Sequence, residues 1–327
     1  MIKTGTFKKL AESSFVLLLL AFCIIVSTGK FSYAAVDGVK LFFACVFPAV
    51  FPYLFLTAIL SSLSTTYKMS KIFSPLTKKL FNTGGLTAYA FLLSTLSGYP
   101  MGAKTVADLR KSDFLGEAEA QRAAAFCSSS SPVFLVGSVG NVMFGSPEFG
   151  LCLFACSFIS SILCGLIFSF YKRNEKPEKS GSDLKLKSAD NLLYDSVYSA
   201  VISVLLVGGL ITVFYILSEI IVSLPPFAAL INGTGKLLGD RDIANGIFKG
   251  LLECTSGLKG VAEGHHGFFT LPVCAGFGGL SVIAQSVSFL KSAKIKTAPF
   301  LLSKLLNAVL SFVIGILFSA IFFRTAF

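Results

Sequence analysis

Charged residues are scarce in this sequence. Asp, Glu, Lys and Arg make up only 14% of the 327 residues, whereas they make up about a quarter of a typical soluble domain. Hydrophobic residues account for 54%, and several apolar runs reach the roughly 18 residues that can cross a bilayer. This composition excludes a soluble globular protein. It predicts an all-α, polytopic protein of the cell membrane with about 7–10 helical segments.

The usual signatures of catalysis and metal binding are also missing. The eight cysteines lie in apolar segments and form no CxxC pair, which excludes a disulfide framework and a zinc site of the common kind. His265 and His266 are adjacent, so they lack the spacing of two metal ligands on one helix face. There is no nucleotide-binding loop, serine nucleophile elbow or HExxH motif. We therefore expect no enzyme activity, no catalytic residue, no metal and no cofactor.

The formal net charge of +11 would favour nucleic acid as the partner of a soluble protein. Here the lysines lie in short loops beside apolar segments, as the positive-inside bias produces. The expected partner is therefore the lipid bilayer and not nucleic acid, and the composition is compatible with a homo-oligomer. The basic N-terminus before the apolar run 15–26 is also typical of a secretory signal, but the many later spans favour a retained first helix over 13–29.

A charged segment divides the chain. Residues 172–190 contain Pro, Gly and Ser, have no apolar face, and hold more basic than acidic residues. They predict a cytoplasmic linker between a first membrane half, 1–171, and a second, 191–327.

Each half contains an interrupted apolar segment. In the first, Gly98-Tyr99-Pro100 breaks the stretch 86–111, which predicts a broken or re-entrant helical hairpin. In the second, Gly278-Gly279 breaks the stretch 267–290, and an offset of about 180 residues aligns the two. Paired broken segments in two halves are typical of a transporter binding site. Loop charges favour parallel halves and transporter architecture favours inverted halves, so the orientation stays open.

Polar groups in these apolar surroundings are the candidate binding residues. Lys104 and Asp108 are spaced i, i+4 on one helix face; the alternative is a position at the interface, where both reach water. The run Ser128–Ser131 either lines a cavity or bonds back to helix carbonyls. Glu253 and Gln285 stand in apolar stretches, where polar and ionisable residues indicate function; the alternative for Gln285 is a hydrogen bond between helices. The candidate solute-binding residues are Ser97, Gly98, Tyr99, Pro100, Gly102, Lys104, Asp108, Ser128, Ser129, Ser130, Glu253, Thr255, Gly279, Ser281 and Gln285.

Four sequence blocks carry a family resemblance: SGYPMGAKTVADLR, FCSSSSPVFLVGSVG, GLLECTSGL and GFGGLSVIAQ. They resemble the signature blocks of the YlbJ-type sporulation integral membrane proteins, which belong to the wider group carrying the nucleoside-recognition "Gate" domain. The run CSSSSP departs from the family, which has an asparagine-containing run there. The matching positions are Gly98, Tyr99, Pro100, Gly102, Ala103, Lys104, Gly278, Gly279, Ser281 and Gln285.

The resemblance implies a membrane protein of an endospore-forming bacterium, related to nucleoside transporters in its broken helices. It favours a sporulation-associated protein that moves or gates a small solute. Two alternatives stay open: a nucleoside transporter of ordinary growth, and a non-transporting scaffold for assembly of the spore envelope.

Overall fold

The computed structural model describes residues 28–62, 65–175, 191–263 and 270–322. Within these ranges the chain is helical throughout and contains no strand. Five helices are long and apolar enough to cross a membrane, by length and composition: 31–59, 147–168, 192–223, 271–292 and 298–321. The predicted all-α polytopic membrane fold is thereby confirmed. The predicted helix 13–29 lies almost wholly outside the described residues, as do the His265-His266 pair and most of the linker.

The first half begins with a long apolar rod and ends with a long span. Helices α1 (Thr28–Leu41) and α2 (Phe47–Ser62) form the rod, joined by the π-helical turn Phe42–Val46. The remaining elements are α3 (Thr65–Phe81), α4 (Leu86–Ser97), α5 (Met101–Lys111), α6 (Glu117–Phe126), the π-helix Val133–Met143 and α7 (Pro147–Phe168).

The second half repeats this order. Its elements are α8 (Leu192–Ser223), α9 (Pro225–Leu238), α10 (Arg241–Leu252), α11 (Cys254–Glu263), α12 (Leu271–Phe277), α13 (Gly279–Ser292) and α14 (Ala298–Phe322). Both halves thus run as a long helix, an amphipathic helix, a packed helical pair, a broken segment and a final span. The amphipathic helices α3 and α9 occupy equivalent places, and so do the final spans α7 and α14.

The equivalent elements run antiparallel to each other. The ring of Phe42 lies against Gly208, and Gly38 lies against Tyr215. Because the later residue of one segment contacts the earlier residue of the other, α1 and the turn after it run antiparallel to α8. The final spans are joined by hydrogen bonds between Ser160 and Asn307, with Oγ donating to Oδ1 at 2.5 Å; Cys164 bonds the earlier Ser303 carbonyl. The equivalent helices of the two halves thus run in opposite directions, which favours inverted over parallel halves.

The alignment at an offset of about 180 residues is wrong. Helices α4 and α5 pack on each other as the hairpin expected over 86–111, and the equivalent packed pair is α10 and α11. The expected second hairpin near 267–290 is instead a kinked span, because α12 and α13 have no comparable packing against one another. Its kink lies at Gly278 and Gly279, which have φ of +81° and +76°. Glycine tolerates this left-handed conformation without a Cβ clash.

The second hairpin therefore turns at Glu253, between α10 and α11. Its two arms approach closely because both carry glycine at their contact: a Cβ on Gly257 would lie 2.1 Å from the Cα of Gly250. Gly246 meets Gly260 and Val261 one turn further along. The sequence has no proline and no glycine directly beside Glu253. From the sequence alone, this stretch is therefore predicted to be one continuous apolar helix.

Several hydrogen bonds and two ion pairs, Lys172–Glu175 and Lys296–Glu117, lie at one end of the molecule, which we call the linker face. Asn82 Nδ2 donates to the carbonyl of Arg173 at 3.2 Å, and Lys296 Nζ lies 3.8 Å from a carboxylate oxygen of Glu117. The linker leaves from this face. The other end, where α8 finishes and α10 begins, is the opposite face.

Arg122 fixes the start of the linker. It is only 1% exposed and its guanidinium donates to the carbonyls of Tyr171 at 3.1 Å, Lys172 at 3.0 Å and Glu175 at 3.0 Å. These carbonyls follow the end of α7, where helical carbonyls lack partners in their own helix.

We expect Arg122→Ala to lower the free energy of unfolding by about 3 kcal/mol, because three partly buried carbonyls lose charge-assisted hydrogen bonds to a buried guanidinium. The measurement is thermal unfolding in detergent, followed with a thiol-reactive dye that labels the buried cysteines as they become accessible. Arg173→Ala, at an exposed position three residues beyond Phe170, is the matched control and should change stability by less than about 0.5 kcal/mol. Equal stability of both variants would contradict the anchoring role.

Candidate functional site

One side chain, Tyr99, contacts both broken segments and the tip of the second hairpin. It lies at the tip of the first hairpin, and its hydroxyl hydrogen-bonds Ser130 in the break between α6 and the π-helix. The hydroxyl donates to the carbonyl of Ala275 at 2.8 Å, near the end of α12, and lies 3.9 Å from Cys254 Sγ at the second hairpin. Its ring approaches within 3.4 Å of the Cβ position of Gly278. The two hairpin tips and the two broken segments therefore meet at one point.

A small central cavity of about 50 Å³ surrounds this meeting point. Its polar lining comes from the tips and breaks: Ser97, Tyr99, Ser130, Glu253, Thr255 and Gln285. The apolar wall comes from the long helices and includes Val46 and Ile211. A cavity of this size can hold a few waters but is far below the roughly 300–1,000 Å³ of sites for organic ligands. An organic solute would require the walls to separate.

Larger cavities lie on both sides of the central one. The linker-side cavity, about 420 Å³, shares Ser97, Tyr99 and Gln285 with it and extends along the first part of α8. The opposite cavity, about 540 Å³, is lined by charged residues, among them Glu219 and Lys249. The Nζ of Lys249 donates to Glu219 at 2.5 Å, which ties the second hairpin to α8. The convergence of breaks therefore separates two spaces near opposite faces.

Glu253 forms the tip of the second hairpin. Its carboxylate accepts hydrogen bonds from the backbone N–H of Thr255 at 3.0 Å and of Ser256 at 2.6 Å, and it is only 2% exposed. Its side chain thus caps the amide end of α11, in the manner of a helix N-cap. Both candidates from this stretch, Glu253 and Thr255, line the central cavity.

Of the candidates on α13, only Gln285 lines the central cavity; Gly279 and Ser281 do not. Gln285 lines both the central and the linker-side cavities, and its amide Nε2 donates to Ser281 Oγ at 3.3 Å. Gly279 allows the start of α13 to pack closely against the second hairpin. A Cβ there would lie 3.0 Å from the backbone nitrogen of Cys254 and 3.0 Å from the carbonyl oxygen of Gly250.

The serines of the first break bond to other elements and not only to their own helix. Ser129 N–H donates to Ser94 Oγ of α4 at 3.3 Å, and Ser130 meets Tyr99. Ser128 accepts through its carbonyl and its hydroxyl from Lys304 of α14. The break is therefore held by α4, by the tip of the first hairpin and by α14.

Of the remaining candidates of the first hairpin, only Gly98 lines the central cavity. Pro100 and Lys104 line the linker-side cavity. Asp108 is exposed and lines none of these three cavities. Gly102 permits packing, since a Cβ there would lie 2.0 Å from the carbonyl oxygen of Cys127. Gly98 lines the central cavity and has φ of +75° at the turn.

Sequence reasoning missed Lys304. This lysine is 1% exposed, and its Nζ donates to the Ser128 carbonyl at 3.2 Å and to the Ser128 hydroxyl at 3.3 Å. It also lies 5.0 Å from the centre of the Tyr99 ring, within cation–π range. The signal that could have found it is a lone lysine in an apolar span of 24 residues. Because Lys304 lies near the start of that span, the sequence alone is equally compatible with a lysine that anchors the helix at the membrane interface.

The arrangement can now be compared with known proteins. The chain is 26% identical over 326 residues to the sporulation integral membrane protein YlbJ of Bacillus subtilis (strain 168), covering 91% of this chain and 79% of the relative. This similarity extends over most of the chain and agrees with the YlbJ-type resemblance of its sequence blocks. No family model matches it, so the resemblance to the Gate domain stays a prediction, and no solved structure matches it. The YlbJ-type resemblance expected from the four sequence blocks is confirmed.

Proposed function

We propose that this YlbJ-type protein is a sporulation-associated membrane protein that moves or gates a small polar solute and catalyses no reaction. The observation that supports the proposal is the meeting of four helix interruptions at Tyr99, between a cavity on each side. Interrupted helices inside a membrane are tolerated where they line a cavity, and their meeting near the middle of two inverted halves is typical of secondary transporters.

The lining favours an uncharged polar solute over an anion. Hydroxyl and amide groups of Ser97, Ser130 and Gln285 offer hydrogen bonds. The amide end of α11, which could attract an anionic group, is already occupied by the carboxylate of Glu253. A hydroxyl-rich solute of the nucleoside class fits these groups and belongs in any test panel.

We infer that the linker face is cytoplasmic. Basic residues cluster at the ends of the helices on this face, among them Lys79, Lys111, Lys172, Lys291 and Lys294. Cytoplasmic loops carry such an excess of Lys and Arg. The linker-side cavity would then open toward the cytoplasm and the opposite cavity away from it.

We expect expression of this chain in a Bacillus subtilis strain lacking YlbJ to restore formation of heat-resistant spores. Tyr99→Phe should reduce the restored spore count at unchanged protein level, because the ring stays in place while the hydroxyl contacts with Ser130 and Ala275 are lost. Tyr194→Phe, at an exposed position on α8, is the matched control. Full restoration by Tyr99→Phe would contradict the role of this site.

Transport itself is tested in vesicles containing the purified protein. Uptake of labelled solutes, including nucleosides, sugars and amino acids, should exceed that of empty vesicles for at least one solute and fall in Tyr99→Phe. Spore restoration without uptake of any solute would instead favour the scaffold. Uptake of nucleosides together with expression in growing cells would favour the nucleoside transporter of ordinary growth.

A further inference from the structure

Lys304 lies where a broken helix presents its carbonyl end. Helix α6 ends at Phe126, and the chain leaves helical geometry from Cys127 to Ser131. The ammonium of Lys304 donates to the carbonyl and hydroxyl oxygens of Ser128 in this segment, at 3.2 and 3.3 Å. The carbonyl end of a helix carries partial negative charge and favours a cation.

In transporters built from broken helices, this kind of site commonly holds a coupling ion. Unwound carbonyls and the carbonyl ends of half-helices coordinate sodium there. In this protein a lysine from a neighbouring span supplies the positive charge. Lys304 forms no ion pair within 4.0 Å with any carboxylate among the described residues, so its charge is balanced by the carbonyl end, the hydroxyl and the face of Tyr99.

The equivalent break in the second half is filled in a similar way. Near the end of α12, the carbonyl of Ala275 accepts from the Tyr99 hydroxyl at 2.8 Å, and the carbonyl of Cys274 accepts from Cys254 Sγ at 3.3 Å. Side chains from other elements thus occupy the carbonyl ends of both broken segments.

We propose that the ammonium of Lys304 is a built-in cation that takes the place of a bound alkali-metal ion at the break after α6, so that this protein binds no coupling sodium there. This proposal rests on the proposed function, because it describes how the same solute site would work without a coupling sodium ion. Its test requires no solute and therefore stands apart from the uptake experiment.

The test compares thermal unfolding of the purified protein in sodium, potassium and choline chloride at equal ionic strength. We expect the wild-type midpoint to be the same in all three salts. Lys304→Ala removes the ammonium and leaves the Ser128 oxygens open, so its midpoint should rise by about 2–4 °C in sodium relative to choline, with saturation as sodium increases. Lys236→Ala, at an exposed position on α9, is the matched control and should respond like the wild type.

A saturable rise of the wild-type unfolding midpoint in sodium would overturn the proposal. So would a folded Lys304→Ala protein whose unfolding midpoint is the same in sodium and in choline. If the alanine variant does not fold, Lys304→Ser carries the same expectation, because its hydroxyl adds an oxygen ligand. Should neither variant fold, the wild-type comparison decides alone. Failure of the vesicle experiment with the expected salt responses would refute transport while leaving the built-in cation standing.

Discussion

The Gly257→Ala variant is expected to lose about 3 kcal/mol of folding free energy, the upper end of the usual effect of overpacking. A Cβ at this position would lie 2.1 Å from the Cα of Gly250, 2.4 Å from its nitrogen and 2.8 Å from the carbonyl oxygen of Gly246. All three are backbone atoms, so no side chain can turn away to make room. The two arms of the second hairpin would have to separate, and Glu253 at the tip would move with them.

Thermal unfolding with a thiol-reactive dye measures this effect through Cys254 and Cys274, which are both buried beside the hairpin. The midpoint should fall by about 6 °C or more. Gly233→Ala and Gly209→Ala are matched controls, because a Cβ at either position meets nothing within 4 Å. Alanine is favoured over glycine inside a helix by about 1 kcal/mol, so the controls should be as stable as the wild type or more so. An unchanged midpoint for Gly257→Ala would refute the close packing of α10 on α11.

The first hairpin and the first broken segment could be predicted from the sequence because their signals are local. Gly98 and Pro100 interrupt any helix, and the run from Ser128 to Pro132 lies between two apolar stretches. The second hairpin carries no such signal at Glu253. Its turn is held by contacts between glycines on opposite arms, and each glycine alone is compatible with a continuous helix.

Gly278 and Gly279 illustrate the opposite error. Two consecutive glycines indicate a break, but they do not indicate whether the chain reverses or continues. Here the segment continues across the membrane, because α12 packs on α14 while α13 packs on α5. Those contacts join parts of the chain far apart in sequence, so the type of break is decided by tertiary packing and not by local propensity.

Most of the polar lining of the site was predictable, and its arrangement was not. Tyr99, Ser130, Glu253 and Gln285 were recognisable as polar groups in apolar or broken segments, and all four line the central cavity. Much of the apolar wall comes from the π-helical turn after α1, from α2 and from α8. The valines and isoleucines there are no different in type from lipid-facing ones. The sequence predicts Lys104 as a site residue because it follows the Gly-Tyr-Pro motif, and it does not predict Lys304. Of these two lysines, however, only Lys304 is almost fully buried.

Lys304→Met is therefore expected to abolish function while the protein still folds. Methionine keeps an unbranched side chain of similar length, and replacing a buried charge with an apolar group of similar volume is often neutral for stability. The change removes the only hydrogen bonds from α14 to Ser128 found in the described residues and the cation over the Tyr99 ring. The first break and the first hairpin tip would lose the charge that holds them together, so we expect the site to lose its geometry.

The measurement is the count of heat-resistant spores in the Bacillus subtilis strain lacking YlbJ, with the membrane level of each variant determined in parallel. Lys304→Met should give the count of the strain without the gene, at a protein level close to the wild type. Lys236→Met, which removes an exposed lysine from α9, should restore spores as the wild-type chain does. Lys304→Arg separates charge from shape: a larger, planar cation should restore part of the activity if charge at Ser128 is what matters. Wild-type spore counts with Lys304→Met would show that the buried ammonium is dispensable. They would favour the linker-side cavity around Lys104 as the functional site.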